Sequence, residues 1–344
     1  MTETVVERLL EGGPPSAQTV HRVMDLLADP ATPDGVKAAA LVALRVREPD
    51  ERVLIAFARE MRRRAVPFDP PGRSRAIDVC GSGGSRVPTF NVSTASAFVI
   101  VGAGQPVIKH GNRSTRGHTG SSDLLEALGL PVATSRAFAE ASFRHLGLAF
   151  LHAPLFHPAT GPVAAARRMI GIPTVFNALG PLTNPSNVRF QLAGTSDLRM
   201  ARRMASALRG LGVRSGLTVT SPEGADEFSP RGTSKGYRWN GTALRRFSAT
   251  ARRYLDVEDR RGPWGPLGRS AAVEATEELL AGAPGARRGA VLLTSAAALW
   301  VTGRADSLDD GMEEARASLD GGAAEATFRA MLDLAHSRAW DAGK

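Results

Sequence analysis

Apolar residues in the first 68 positions recur at helical spacing. Val20, Val23, Met24 and Leu27 form one set, Ala40, Leu41, Ala43 and Leu44 a second, and Val53, Leu54, Phe57, Ala58 and Met61 a third. Each set lines one face of a helix. Breaks at Gly12-Gly13-Pro14-Pro15, Asp29-Pro30 and Pro49-Asp50 predict about four short helices and no strand. Asp69-Pro70-Pro71-Gly72 ends this part and reads as a domain crossing. From Ala76 the pattern changes to short apolar runs alternating with helical segments. Ala76-Ile77-Asp78-Val79-Cys80 predicts a strand, and Asn91-Val92-Ser93-Thr94 is an N-cap-like entry into a helix over 95–101. Val107-Ile108 predicts a second strand and 122–128 the start of a helix. Val132 with 134–146 predicts strand, turn and helix, and Ala149-Phe150-Leu151 a further strand. Such alternation predicts a mainly parallel sheet covered by helices.

Residues 157–190 interrupt the alternation. A helix over 162–170 carries Arg167 and Arg168, and the following 176–185 is dense in helix-stop signals. This piece is expected to return to the helical part, so that the chain crosses twice. Strands then follow at 191–194 and 215–220 around a helix at 197–211. Short antiparallel strands and loops fill 231–265. A helix at 271–281, a strand at 290–293 and three helices over 295–337 complete the chain. The fold class expected is α/β, with a small all-helical N-terminal domain (1–70 plus 162–190) joined to a larger α/β domain (73–161 plus 191–340).

Composition narrows the function classes. A chain of 344 residues with 43% hydrophobic content supports one large or two ordinary folded domains. No apolar stretch approaches a membrane span of about 20 residues. No leader is read at the N-terminus, and a cytoplasmic location is the expectation. The single cysteine, Cys80, excludes an internal disulfide and a cysteine metal cluster. The net charge of +9 admits three readings: Arg-rich solvated helices, a site for a highly anionic substrate, or nucleic-acid binding. No aromatic residues interleave with basic ones to build base-stacking platforms.

Candidate chemistry concentrates in 78–126. Gly81-Ser82-Gly83-Gly84-Ser85 follows the first strand, and Lys109-His110-Gly111-Asn112-Arg113 follows the second. Glycine allows close backbone approach to a ligand, and free N–H groups at loop or helix starts attract anions. Only four lysines occur among 43 basic residues, yet Lys109 closes the Val107-Ile108 run. A compact ammonium is a point-charge partner for phosphate that Arg does not simply replace. Asp226-Glu227, at the end of a predicted strand, can hold Mg²⁺ bridging to phosphates; two solvated turn charges are the plainer alternative. Arg167 can fork onto a carboxylate or be a surface helix charge. Asn112 can orient an amine or carboxylate, or serve as a turn residue. His110 and His118 can act on protons or phosphate, or be hydrogen-bonding loop residues. His152 and His157 flank an Ala-Pro turn.

Taken together, GSGGS with NVST, KHGNR with GSSDLLEALG, RRMIGIPTVFNALGPLTNP and DEFSP resemble the anthranilate phosphoribosyltransferase family over nearly the whole chain. The resemblance implies the fold shared with type II nucleoside phosphorylases, usually paired as a homodimer through the helical domains. It implies transfer of phosphoribose from phosphoribosyl pyrophosphate to the amine of anthranilate, with Mg²⁺, in tryptophan biosynthesis. By position, Gly81, Gly84, Ser85, Thr89, Asn91, Val92, Ser93, Thr94, Lys109, His110, Gly111, Asn112, Arg113, Ser114, Thr115, Arg116, Gly117 and Ser121 would contact the donor. Ser93, Asp226 and Glu227 would bind the metal. Gly81, Asn112 and Arg167 would touch the acceptor, and Lys109, His110, Asn112 and Arg167 would be the catalytic set.

Three positions depart from the family pattern: Ser85 where Asp is usual, Arg116-Gly117-His118 where a Ser-Ser-Lys or Ser-Gly-Lys run is usual, and Thr294-Ser295 where Asn-Ala is usual. These are expected in the catalytic loops and point to the same chemistry on another aromatic acid or amine. Arg116-Gly117-His118-Thr119-Gly120 also resembles the GHTG loop of pyrimidine nucleoside phosphorylases. Non-catalytic nucleic-acid binding is the remaining alternative.

Overall fold

The computed structural model describes residues 2–10, 14–47, 49–82, 85, 87–114, 119–241, 243–338, 340 and 341, without the side chains of 2–4. Helices α1 (Thr2–Leu10), α2 (Ala17–Ala28), α3 (Asp34–Val46) and α4 (Glu51–Arg63) open the chain. Their starts follow from capping: Ser16 accepts from the Thr19 N–H and Asp50 from the Val53 N–H. Their apolar stripes meet in one core with Val20, Met24, Leu41, Leu54 and Phe57.

The α/β part follows. It runs β1 (Ile77–Gly81), α5 (Val92–Gly102), β2 (Val107–Gly111), α6 (Ser121–Ala127), α7 (Arg136–Leu146), β3 (Leu148–His152), α8 (Ala153–Phe156), α9 (Ala164–Ile170), α10 (Val175–Leu179), β4 (Phe190–Gly194), α11 (Leu198–Gly210) and β5 (Ser215–Thr220). The chain closes with β6 (Thr233–Asn240), β7 (Ala243–Thr250), α12 (Ala251–Tyr254), α13 (Arg269–Leu280), α14 (Ala286–Thr302), α15 (Leu308–Asp320) and α16 (Ala323–Ser337).

One seven-stranded sheet has the order β3-β2-β1-β4-β5-β6-β7. β1 to β5 are parallel, and β6 and β7 are antiparallel. Alternation along the strands sends Ile77, Val79, Val107, Leu148 and Phe150 into a core shared with α5, α14 and α16. The opposite face takes Ile108, Ala149 and Leu151 against Phe68 and Phe156. Ala193 and Trp239 join the same core as the N-terminal helices, with α11 between. α9 packs on α3 and α10 on α4. Lys37, 2% exposed, donates from Nζ to the Pro162 carbonyl at 2.9 Å and ties α3 to the start of α9.

Two predicted strands are absent. Residues 290–293 lie inside α14, where Ala290, Val291, Leu292 and Leu293 are buried all round. A short apolar run in a helix enclosed on every side carries no amphipathic signal, so periodicity cannot separate it from a buried strand. The three helices expected over 295–337 are therefore the second half of α14, then α15 and α16. Val132 is buried but sits in the turn before α7, because the 131–135 backbone hydrogen-bonds on itself, with Thr134 and Ser135 N–H both donating to Pro131 O. Thr294 and Ser295 are also not loop residues: both are fully buried in mid-α14, with hydroxyls lacking a hydrogen-bond partner.

Candidate active site

The parallel strands all end on one side of the sheet, at Gly81, Gly111, His152, Gly194 and Thr220. Strand order runs outward from β1 to β2 and β3 on one side and to β4 and β5 on the other. That reversal between β1 and β4 is the switch point where open α/β sheets hold ligands. Gly81 pairs with Gly194 there. A Cβ at Gly81 would lie 2.5 Å from Asp226 Oδ2, and one at Gly194 would lie 1.7 Å from Asp226 O. The two glycines therefore leave the space that Asp226 fills.

A tight turn brings Asp226 to that place. The Ser221 N–H donates to Ala225 O at 3.0 Å, Ser221 Oγ accepts from the Ala225 N–H at 2.9 Å, and Gly224 takes φ +86°. Phe228, fully buried, anchors the next residues in the core. Ser82 Oγ donates to Asp226 Oδ2 at 3.4 Å. Glu227 turns toward the start of α5, where the Ser93 N–H and hydroxyl lie near enough to favour its charged form. Lys109, 3% exposed, donates from Nζ to Ser93 Oγ at 3.0 Å and to Val79 O at 2.7 Å. Lys109, Ser93, Glu227 and Asp226 thus form one connected group at the carboxyl ends of β1, β2, β4 and β5.

Electrostatics match that packing. Burial and the adjacent Asp226 charge push Glu227 up to about 8, against the pull of Lys109 and the Ser93 hydrogen bonds. Deeper in, Asp78 is fully buried, and burial raises its carboxyl against the pull of Lys109, Asn184, His110 N–H and Gln191. Its Oδ1 accepts from the His110 N–H at 3.1 Å and its Oδ2 from Gln191 Nε2 at 3.2 Å. Lys109 therefore serves two carboxylates, Asp78 on β1 and Glu227 after β5. Among the described residues no group of three or more His, Cys, Asp or Glu could hold a metal. Two carboxylates and the Ser93 hydroxyl suit Mg²⁺, which takes hard oxygen ligands and keeps places for water and phosphate.

The second loop is built on α6. Asp123 Oδ2 accepts from the Ser114 N–H at 3.0 Å and the Gly120 N–H at 2.9 Å, closing the loop's two ends. Asn112 is exposed, with its carbonyl accepting from Ser121 Oγ at 3.1 Å. A Cβ at Gly111 would lie 2.3 Å from Ser121 Oγ. Arg113 pairs with Glu126 at 2.9 Å. Asn91 makes no side-chain cap on α5; its Nδ2 donates instead to Thr119 O at 2.9 Å and joins the two loops. Ser85 donates to the Val87 carbonyl and, at 3.4 Å, to Gly224 O. Thr89 is half-buried beside this loop, whereas Val92 and Thr94 are fully buried and can offer a ligand only backbone. Gly83, Gly84, Thr115, Arg116, Gly117 and His118 lie outside the described residues.

Arg167 occupies the last turn of α9, its guanidinium 5.2 Å from the Phe176 ring centroid. Burial lowers its pKa. His110 Nδ1 lies 3.2 Å from Gly180 O, and its ring centroid is 5.0 Å from that of His157. His110 Nε2 and both His157 nitrogens have no partner in hydrogen-bond geometry. Burial lowers His110 to about 4, and burial, with His110 alongside, lowers His157 to about 3. His152 Nδ1 shares a 2.9 Å hydrogen bond with Ser122 Oγ and braces α6.

Asp78, Gln191, Asn184 and Gly194 were given no role from the sequence, and Ser82 was placed in the first loop without a role of its own. A charge inside the apolar Ala76–Cys80 run was the available signal for Asp78, since a doubly covered parallel strand buries both faces.

The two buried histidines give a stability prediction. Both are neutral when folded, and both take a proton near pH 6.5 when unfolded. The unfolded chain therefore binds more protons below about pH 6.5, and stability falls as pH drops from there toward their folded values. Urea unfolding at about pH 7 and about pH 4.5 is expected to show wild type losing roughly 2 kcal/mol more than His157→Phe. Equal losses would place the acid sensitivity elsewhere.

Comparison with known proteins agrees with this arrangement. Residues 3–65 match the helical bundle domain of the glycosyl transferase family and residues 73–325 its a/b domain. An anthranilate phosphoribosyltransferase of Solibacter usitatus is 38% identical over 336 residues, covering 96% of this chain and 98% of the relative. One from Methanosphaerula palustris is 36% identical over 337 residues, covering 96% and 98%. The crystal structure of anthranilate phosphoribosyltransferase from Thermus thermophilus superposes with TM-score 0.86 at 31% identity, covering 96% of this chain and 99% of that one. The Saccharomyces cerevisiae enzyme in complex with PRPP and Mg shares the fold at TM-score 0.83 and 24% identity, covering 98% of both chains. By its two domain matches, its full-length relatives and its fold, this chain is a glycosyltransferase-type enzyme and belongs to the anthranilate phosphoribosyltransferase family.

Proposed function

We propose that the protein transfers phosphoribose from phosphoribosyl pyrophosphate to the amine of anthranilate and releases pyrophosphate. The observation that carries this reading is the grouping of Lys109, hydrogen-bonded to Ser93, with Glu227, whose charge both of them stabilise, and with Asp226 against Gly81. Asp226, Glu227 and Ser93 would hold Mg²⁺, which when bound supplies positive charge for the departing pyrophosphate. Lys109 adds a fixed cation beside them. Backbone N–H groups after β1 and at the start of α5 would bind phosphate oxygens, and Lys109 to Gly117, with Ser121, would contact the donor. Arg167 forks onto the acceptor carboxylate, while Asn112 and Gly81 orient its amine. An arylamine is unprotonated at neutral pH, so charge stabilisation and positioning suffice without a strong base.

Ser85 favours a second reading, the same chemistry on a different aromatic acid or amine in a specialised pathway. A neutral hydroxyl there, turned to Val87 O and Gly224 O, provides no negative acceptor for the ribose hydroxyls. The division into a helical domain of 1–70 with 162–190 and an α/β domain of 73–161 with 191–340 is supported by α9 and α10 packing on α3 and α4. Exposed Leu10, Val46, Met169 and Ile172 on the helical part support homodimerisation there.

Pyrophosphate release is measured with phosphoribosyl pyrophosphate, Mg²⁺ and a panel of aminobenzoates and hydroxybenzoates. Anthranilate as the preferred acceptor supports the first reading, another acceptor the second, and no release with any acceptor removes both. Arg167→Ala is expected to raise the acceptor KM by roughly tenfold or more, the worth of a charge-assisted hydrogen bond, with the donor KM within about twofold. A parallel rise in both constants would take Arg167 out of the acceptor site.

A further inference from the structure

Residues 228–255 contain Arg231, Lys235, Arg238, Arg245, Arg246, Arg252 and Arg253 and no Asp or Glu, in a chain whose net charge is +9. This stretch forms β6, β7 and α12, and β7 is the outer strand of the sheet. We propose that the β6–β7 hairpin is a docking edge for an extended acidic segment of a partner protein, which adds along β7 as an eighth strand.

Register places the charges. Arg238 stands directly opposite Arg245 across the β6–β7 pair, on the face carrying Trp300, whose ring centroid lies 3.8 Å from the Arg238 guanidinium. Like charges directly opposite each other destabilise a β pair, and an anion seated between them reverses that sign. On the other face Lys235 lies opposite Ser248 and is the diagonal neighbour of Arg246. Among the described residues, Lys235, Arg245, Arg246 and Arg252 make no ion pair, whereas Arg253 pairs with Asp309 at 3.1 Å. Arg245, Arg246 and Ser248 are exposed along β7. Both faces of the edge therefore present cations to whatever lies alongside it.

The occupant's chemistry follows. The outer side of an edge strand offers unpaired backbone donors and acceptors, which a polypeptide strand satisfies and a nucleic acid does not. Edge arginines block pairing with a second copy of the same strand, because their charges would meet their equivalents. A strand with Asp or Glu on both faces meets opposite charge on each side, and the same cations exclude basic segments.

The test uses fluorescence anisotropy with a labelled octapeptide of two Glu-Glu-Val-Val repeats, which as a strand carries Glu on both faces, at about 50 and about 300 mM salt. Saturable binding that weakens with salt is expected. A peptide of the same charge N-methylated at every residue, so that neither edge can donate to the sheet, is expected to bind roughly tenfold or more weakly. Arg245→Glu with Arg246→Glu is expected to lose a similar factor, with the melting temperature and pyrophosphate release unchanged. Peptide binding should also slow hydrogen exchange along 243–250. Equal affinity for the N-methylated peptide, no binding, or tighter binding of a single-stranded oligonucleotide at the same salt would each overturn the proposal.

Discussion

Asp226→Ala combined with Glu227→Ala is expected to reduce magnesium-supported pyrophosphate release by roughly a thousandfold or more. These carboxylates stand side by side, 8% and 7% exposed, against Gly81 and the start of α5. Burial and mutual repulsion hold a proton on Glu227 up to about pH 8. A divalent cation competes with that proton, so apparent Mg²⁺ affinity should rise with pH toward about 8. The sign for stability is the reverse: a carboxylate whose folded pKa is raised costs stability as pH rises from its ordinary value toward about 8, a cost that a cation held by the pair would offset. Thermal melts with and without Mg²⁺ should therefore diverge as pH rises. Unchanged turnover in the double variant, or melts that stay parallel, would remove the metal from this pair.

Lys109→Met should be the most damaging single change to folding. The lysine is 3% exposed, and its charge acts on both Asp78 and Glu227. Removing one partner of a buried charge group leaves the others uncompensated, at a cost of about 3–5 kcal/mol. Methionine keeps most of the volume, so packing is nearly preserved and the electrostatic effect dominates. The same reasoning sets the pH dependence. Without Lys109 both carboxylates hold protons more strongly, so the variant's deficit should shrink as pH falls from about 7 to about 5. Urea titrations of wild type and variant at both values read this directly. A deficit constant across that range would mean that Lys109 acts through packing.

Much of the scaffold was legible because each element carries its own signal. α2 to α4 have one apolar stripe each, broken by Pro and Gly, and Ser16 and Asp50 cap α2 and α4. β1 to β5 are short runs that each bury at least two apolar residues, three of them ended by glycine. Residues 290–293 defeated the same logic, because α14 is enclosed on nearly every side and shows no polar face. Asn91 illustrates a second limit. Its position before a helix predicts a cap, yet its amide reaches Thr119 O in the other loop, a partner 28 residues away. Local preference cannot rank a near acceptor against a distant one that folding brings closer.

The order of residues determined which chemistry is carried: two glycine-rich loops, a lysine in an arginine-rich chain and an adjacent acidic pair, because hydrogen-bonding capacity and charge belong to the side chains themselves. It also determined the helices and most strands, because periodicity of apolar positions is a local property. Only the folded chain decided that Lys109 lies between Asp78 and Glu227, 31 residues from the first and 118 from the second. Only folding decided that Gly194 leaves room for Asp226 and that His110 meets His157. The physical reason is the sheet order: placing β4 beside β1 brings together strand ends that lie more than a hundred residues apart, and desolvation there turns ordinary charges into perturbed ones.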